Sequence, residues 1–315
     1  MPLHVFDLPF PARIGPGLEQ AREHNLAWLR AHGVLPDATW EQRYLTQQFA
    51  ELAARVWPGS SGADLDLVLD ISSWSAFFDD HVERLTVRAP EQVPLLCGAL
   101  TALTHPGSPA PAAGSGALTA SWSDAWARQT RGMSPGWVER AARSWRWFID
   151  ANAAETLNRT AGLVPDLPGY LRVRRRSCFM PVWMDLIERA GHFEVPEPVF
   201  ASDAFQALRQ AVVDACIVIN DVHSLEKEEA GGDVHNIVTI ARHHQHLTRQ
   251  DAIAWALALF EERLAMFLRL REEVLRTARD TPGDEAAERY IDGLGSVARG
   301  GHDWDLVSSR YRGPA

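Results

Sequence analysis

Three oxygen-bearing side chains stand at every fourth position of NDVHSLEKE, residues 220–228: Asn220, Ser224 and Glu228. An α-helix turns once in about 3.6 residues, so positions i, i+4 and i+8 stack on one face. Hard divalent cations select oxygen donors, and Mg2+ is usually held by a few side chains completed by water and substrate phosphates. The preceding run FQALRQAVVDACIVI (205–219) is mostly apolar and free of Gly and Pro. It reads as a buried helix whose end carries the triplet, with Asp221, Glu226 and Lys227 packed between. A solvated helix end with capping and salt-bridging residues is the competing reading. Asn and Ser are poor helix-interior residues, which counts against it.

A second stretch, SSWSAFFDDHVER (72–84), is another largely apolar helix ending in acids. Asp79 and Glu83 share a face at i, i+4, with Asp80 beside them. An ordinary exposed helix terminus would give the same letters. Two such clusters, each ending a buried helix, point instead to one cation site shared between helices of a bundle, because unpaired carboxylates there are costly. YLRVRRRSCFMP (170–181) supplies Arg172, Arg174, Arg175 and Arg176, and SSRYRG (308–313) supplies Arg310 and Tyr311. Arginine suits multidentate phosphate recognition, although some of the four must simply form a charged helix face.

Together these residues resemble the bacterial class I terpene cyclases. That family's aspartate-rich motif matches Asp79-Asp80-His81-Val82-Glu83, its long metal motif matches Asn220 through Glu228, and its C-terminal pair matches Arg310-Tyr311. In the family a diphosphate-sensing arginine lies 46 residues before the first Asn, and here 220 − 174 = 46, which singles out Arg174. The resemblance makes Ser177 the linker and Cys178 the effector, where the family usually has Gly. The effector acts through its backbone carbonyl, so Cys can serve, with fewer conformations open to the helix break.

The resemblance implies an all-α fold: a single class I terpenoid synthase helical bundle over residues 1–315, with a central cavity. Its N-terminal segment, residues 1–16, is expected to cover the mouth. It also implies three Mg2+ ions, with Mn2+ as a substitute, held by Asp79, Asp80 and Glu83 on one helix and Asn220, Ser224 and Glu228 on another. Arg174, Lys227, Arg310 and Tyr311 would donate to a prenyl diphosphate. The reaction would be ionisation and carbocation cyclisation of farnesyl diphosphate, with a geranylgeranyl substrate as the alternative. A chain-elongating prenyltransferase is the distant third reading, since it needs two aspartate-rich motifs and this chain has one. Stepping one turn back from the metal residues names cavity candidates: Ser75 and Ala76 with Ser72 deeper, and Cys216 and Ile217 with Val213 deeper. Trp304 and Phe78 are the aromatic wall candidates. Small residues at 72, 75 and 76 suggest a roomy cavity.

The elements that must position these residues read as long helices over 37–56, 62–83, 116–131, 135–157, 196–225 and 249–278. The Pro/Gly/Ala-rich segment 104–117 reads as an inter-helix loop. RHHQHLTRQ (242–250) fits a loop and a helix start capped by Thr248 better than a metal site, and most of the twelve Trp are expected in the core. A net charge of −10 disfavours a nucleic-acid partner. Three scattered cysteines, Cys97, Cys178 and Cys216, imply neither a disulfide framework nor a zinc site and fit a reducing cytoplasm. The chain start lacks signal-peptide character, and no apolar run is long enough for a membrane span. The expected partner is a small prenyl diphosphate, and the candidate assembly is a homodimer.

Overall fold

The computed structural model describes residues 3–105, 108, 111, 114, 116–279 and 283–311. Among them there are helices and no strands. In chain order these are α1 (Leu18–Ala31), α2 (Ala38–Thr46), α3 (Phe49–Val56), α4 (Ala63–Arg88), α5 (Gln92–Ala102), α6 (Ala117–Thr130) and α7 (Pro135–Thr160), then α8 (Leu167–Ser177), α9 (Met180–Gly191), the single turn α10 (Glu197–Phe200), α11 (Asp203–Gly231), α12 (Ile237–Gln245), α13 (Arg249–Ala278) and α14 (Asp284–Val307). Half of the expected loop 104–117 lies outside the described residues, as do Arg312 and Gly313.

Local chemistry sets many of these starts. Ser134, Asp166, Ser202, Asn236 and Thr248 each accept a backbone N–H of the first turn they precede, satisfying donors that the helix leaves unpaired. Thr248 caps α13 as expected, but His243 and His244 belong to the last turn of α12 rather than to a loop. α11 is central: it packs along α13 and also meets α8, α12 and α14, while α4 sits against α1, α3, α6 and α7. Beneath the space between α4 and α11 lies an aromatic cluster. Trp74 stacks on Phe78 at 5.1 Å, and Phe179 meets Phe148 at 4.6 Å and Trp145 at 5.4 Å.

Three expectations are corrected. The helix over 37–56 is broken at Gln48, whose φ of 60° lies in the left-handed region; no Gly or Pro advertises it. The break frees carbonyls. Gln47 O accepts Trp304 Nε1 at 2.7 Å and Ser308 Oγ at 3.0 Å, and Thr46 O accepts the Ser309 N–H at 3.3 Å. The C-terminal segment bearing Arg310 and Tyr311 is pinned there. The stretch 196–225 is divided at 201–202, where Ser202 caps α11. Neither acidic cluster ends its helix: α4 runs on to Arg88 and α11 to Gly231, with Gly232 in the left-handed conformation as its stop.

α14 lies so close to α3 that a Cβ on Gly300 would stand 2.6 Å from the Arg55 carbonyl and 2.7 Å from the Val56 nitrogen. Backbone cannot yield as a side chain can. Gly300→Ala is therefore expected to cost about 1–3 kcal/mol, read as a lower midpoint in thermal or urea denaturation. An unchanged midpoint would show that the helices separate freely.

Candidate active site

α4, α8, α11 and the segment after α14 meet around a cavity of about 540 Å3. Its rim is charged. α4 contributes Asp79 and Glu83; α11 contributes Asn220, Ser224, Lys227 and Glu228; α8 contributes Arg174; and the C-terminal segment contributes Arg310 and Tyr311. Below the rim the wall turns apolar and aromatic, with Phe49, Leu52, Phe148, Trp183 and Trp304 among its residues. Ser72, Ser75, Ala76 and Cys216 line it as helical stepping expected, whereas Ile217 and Val213 do not.

The rim's charges are answered by one another. Arg310 reaches Asp79 at 3.0 Å and Asp80 at 3.3 Å. Arg174 donates to Asn220 Oδ1 and stands 3.3 Å from Asp221. Lys227 is 3.9 Å from Glu83. Asn220 Nδ2 donates to the Tyr311 hydroxyl at 2.8 Å, and Ser224 Oγ donates to the Asn220 carbonyl at 2.8 Å. Asn236 Nδ2 reaches Glu228 at 2.8 Å.

Asp221, between the stripe residues in sequence, is fully buried. It accepts the Tyr170 hydroxyl and the Ile237 N–H, and its own carbonyl takes Asn236 Nδ2. It thereby fixes α8, α11 and the start of α12 to one another behind the rim.

Of the four arginines only Arg174 lines the cavity. Arg175 makes a two-pronged pair with Asp214 at 2.6 and 2.8 Å, and Arg176 lies over the Trp147 ring at 5.4 Å. Ser177, Cys178 and Phe179 form the cavity wall where α8 gives way to α9. Cys178 has ordinary right-handed angles (φ −72°, ψ 3°), and the positive φ falls on Phe179 at 62°. The break thus strains Phe179, not Cys178, which explains how a non-glycine residue occupies position 178.

Three other expectations change. Phe78 is not a wall residue: it is fully buried against Trp74 and Phe148 and does not line the cavity. Asp80 does not line this cavity either; it borders two neighbouring pockets, with Arg84 and Gln47, and serves Arg310 as a counter-ion. None of residues 3–16 lines the cavity. That segment packs outside it, where the Phe6 N–H donates to His302 Nε2 at 3.1 Å and the Phe6 ring meets Phe260 at 4.7 Å. Sequence reasoning missed Glu155, Arg159, His235, Phe179 and Trp183, all of which line the cavity. They come from α7, α9 and the turn after α11, and no local spacing joins them to the motifs.

The donor set fits a divalent cation. Burial, with Asp221 nearby, pushes the Glu228 carboxyl up to about 7 against the pull of Arg174 and Asn236. Asp79 opens onto the cavity, yet the protein around the mouth and then Asp80 raise its carboxyl despite Arg310. A cation between these carboxylates would supply the missing charge. Among the described residues no three His, Cys, Asp or Glu form a protein-only cage. The amide and hydroxyl of Asn220 and Ser224 therefore matter, and so do ligands from outside the chain. Among the described residues no helix is long and apolar enough to cross a membrane.

The model of terpene synthase family 2, C-terminal metal binding, matches residues 70–265. A pentalenene synthase of Streptomyces avermitilis is 37% identical over 319 aligned residues, covering 99% of this chain and 94% of the relative. A (−)-β-caryophyllene synthase ((2E,6E)-farnesyl diphosphate cyclizing) of Saccharothrix espanaensis is 35% identical, covering 98% of this chain and 88% of the relative. The crystal structure of linalool/nerolidol synthase from Streptomyces clavuligerus is similar with a TM-score of 0.88 at 31% identity, over 96% of this chain and all of that one (100%). With a charged rim over aromatic walls and likeness extending over nearly its whole length, this chain belongs to the terpene synthase family, lyases that act on prenyl diphosphates.

Proposed function

We propose that the chain ionises farnesyl diphosphate and cyclises the resulting carbocation, releasing diphosphate. The observation that carries this reading is the division of one cavity into a charged rim and an apolar, aromatic-walled basin. A diphosphate and a C15 chain need those two environments end to end, and about 540 Å3 lies within the ordinary range for small-ligand sites, roughly 300–1,000 Å3. The relative named for cyclizing (2E,6E)-farnesyl diphosphate supports the chain length. A C20 substrate is the second reading, favoured by the small wall residues Ser72, Ser75 and Ala76.

Asp79 on α4 and Asn220, Ser224 and Glu228 on α11 would hold the metal, in our reading three Mg2+ with Mn2+ able to substitute. Bound there, the ions supply Lewis-acid neutralisation of the leaving diphosphate. Arg174, Lys227, Arg310 and the Tyr311 hydroxyl then exchange their present partners for diphosphate oxygens, a preorganised electrostatic field aimed at developing charge. The basin keeps water from the carbocation, and the faces of Phe148, Phe179 and Trp304 can stabilise it by cation–π contact. The Cys178 carbonyl, at the end of α8, is the backbone dipole assigned to the effector role.

Incubation with C10, C15 and C20 diphosphates, read by mass spectrometry, tests this directly. Cyclic C15 product that requires Mg2+ and vanishes in EDTA is expected; full turnover in chelator would refute the metal assignment, and absence of C15 turnover would refute the substrate. Arg174→Ala is expected to lower kcat by about 10²–10³, the usual cost of removing one donor to developing charge, while Arg176→Ala stays near wild type in the same assay. Equal losses would contradict the geometry that turns only Arg174 inward. Ala76→Phe adds a ring inside the basin, with a stability cost of about 1–3 kcal/mol. It is expected to redirect C15 products and to abolish any C20 turnover, and an unchanged profile on both substrates would remove position 76 from the wall.

A further inference from the structure

Glu155 on α7 has no part in the reaction as drawn so far, yet it is a buried carboxylate on the cavity wall. Burial pushes its carboxyl up, but the His235 imidazole and the Arg174 and Arg159 guanidinium groups outweigh this and hold it at about 2. It is a fixed negative charge, and its neighbours tie three elements together. The Ser177 hydroxyl, at the end of α8, donates to Oε1. Arg159, one turn further along α7, stands 3.8 Å away and is bound to Asp233 at 2.6 Å. His235, in the turn between α11 and α12, brings Nδ1 to 3.8 Å from Oε1, an electrostatic contact beyond hydrogen-bond reach. His235 is 4% exposed and neither ring nitrogen has a hydrogen-bond partner. Such a group is costly to bury unless a neighbouring charge answers it, and Glu155 is that charge.

The placement matters because of what Ser177 adjoins. Two residues on, Phe179 holds a left-handed φ of 62°, a conformation that persists in a bulky residue only where its surroundings over-determine it. The rings of Trp145 and Phe148 fix Phe179 from the apolar side. Glu155 fixes the same break from the polar side. One turn earlier on α8, Arg174 also feels the Glu155 charge.

We propose that Glu155, braced by His235, is a positioning residue: it keeps the Ser177–Phe179 break seated against the cavity while Arg174 exchanges Asn220 for the diphosphate, and so fixes the wall on which the carbocation folds. This rests on the cyclisation proposed above. Glu155 breaks no substrate bond itself. Its removal leaves the rim's donors in place and loosens the wall, so the effect falls on kcat and on the product ratio rather than on substrate binding.

The test compares wild type, Glu155→Gln, Ser177→Ala, Ser177→Thr and the Glu155→Gln/Ser177→Ala double variant with farnesyl diphosphate and Mg2+, reading kcat, KM and product ratio. Glu155→Gln is expected to lose about ten- to a hundredfold in kcat, the scale of one charge-assisted hydrogen bond. KM should change by less than about threefold, with products shifted toward less cyclised skeletons. The double variant should be no worse than the more damaged single, because both changes remove the same charge-assisted hydrogen bond. Ser177→Thr, which keeps the hydroxyl, should retain the wild-type product ratio that Ser177→Ala loses. An active wild type whose ratio survives Glu155→Gln, or single effects that multiply in the double variant, would overturn this inference and leave the proposed function standing. Should Glu155→Gln fail to fold, identical profiles for wild type, Ser177→Ala and Ser177→Thr would overturn it equally. A wild type inactive on every prenyl diphosphate would overturn the proposed function itself and this inference with it.

Discussion

A carboxylate shut away from solvent must be fully answered by its neighbours, and the site of this protein is organised around one such group. Asp221 takes Tyr170 and Arg174 from α8, the Ile237 N–H from the start of α12, and through its carbonyl the Asn236 side chain. Removing Tyr170, Arg174 or the Ile237 N–H leaves the buried carboxylate short of a partner, a penalty of about 1–5 kcal/mol. The interaction sets the rotation of α11. With Asp221 facing inward to α8 and α12, Asn220, Ser224 and Glu228 face the cavity, and Arg174 is delivered to their edge. Asn236 couples the two layers, touching the Asp221 backbone and the Glu228 carboxylate at once.

The rim has the character of a site neutralised by its own residues. Arg310 sits on Asp79, Lys227 beside Glu83, and Arg174 on Asn220 and Asp221. Each cation that would meet a diphosphate rests on an oxygen that would meet a metal or stand beside one. An incoming metal–diphosphate unit brings both signs of charge, so it can replace these pairs without leaving either partner exposed to an apolar wall. Neither the anion alone nor the cation alone would satisfy both sides. Burial of Glu228 and its proximity to Asp221 raise its carboxyl, which expresses the same shortage of positive charge.

Much of this was legible in local spacing. The period-four stripe of Asn220, Ser224 and Glu228 and the i, i+4 pair of Asp79 and Glu83 depend only on helical geometry, and all five residues line the cavity. The same geometry explains a miss. Ala76 and Phe78 are two positions apart, hence about 200° around a helix, so they could not both face the basin; Phe78 went to the aromatic core. The stripe reads in sequence as the end of its helix, yet α11 runs on to Gly231, because charge in sequence does not distinguish an exposed helical face from a helix end. The break at Gln48 carries no Gly or Pro, and only tertiary partners for its freed carbonyls, Trp304 and Ser308, account for it. Asp221, Glu155 and His235 were silent because their significance lies in contacts between distant segments.

The central claim is that the rim recognises a metal–diphosphate unit rather than either part alone. Calorimetric titration of the wild-type protein with inorganic diphosphate, with and without Mg2+, addresses it most directly. Tight binding with Mg2+ and little or none in its absence is the expected result. Equal affinity for diphosphate in EDTA would mean that the arginines alone form the site, and that the oxygen stripe on α11 has some other role.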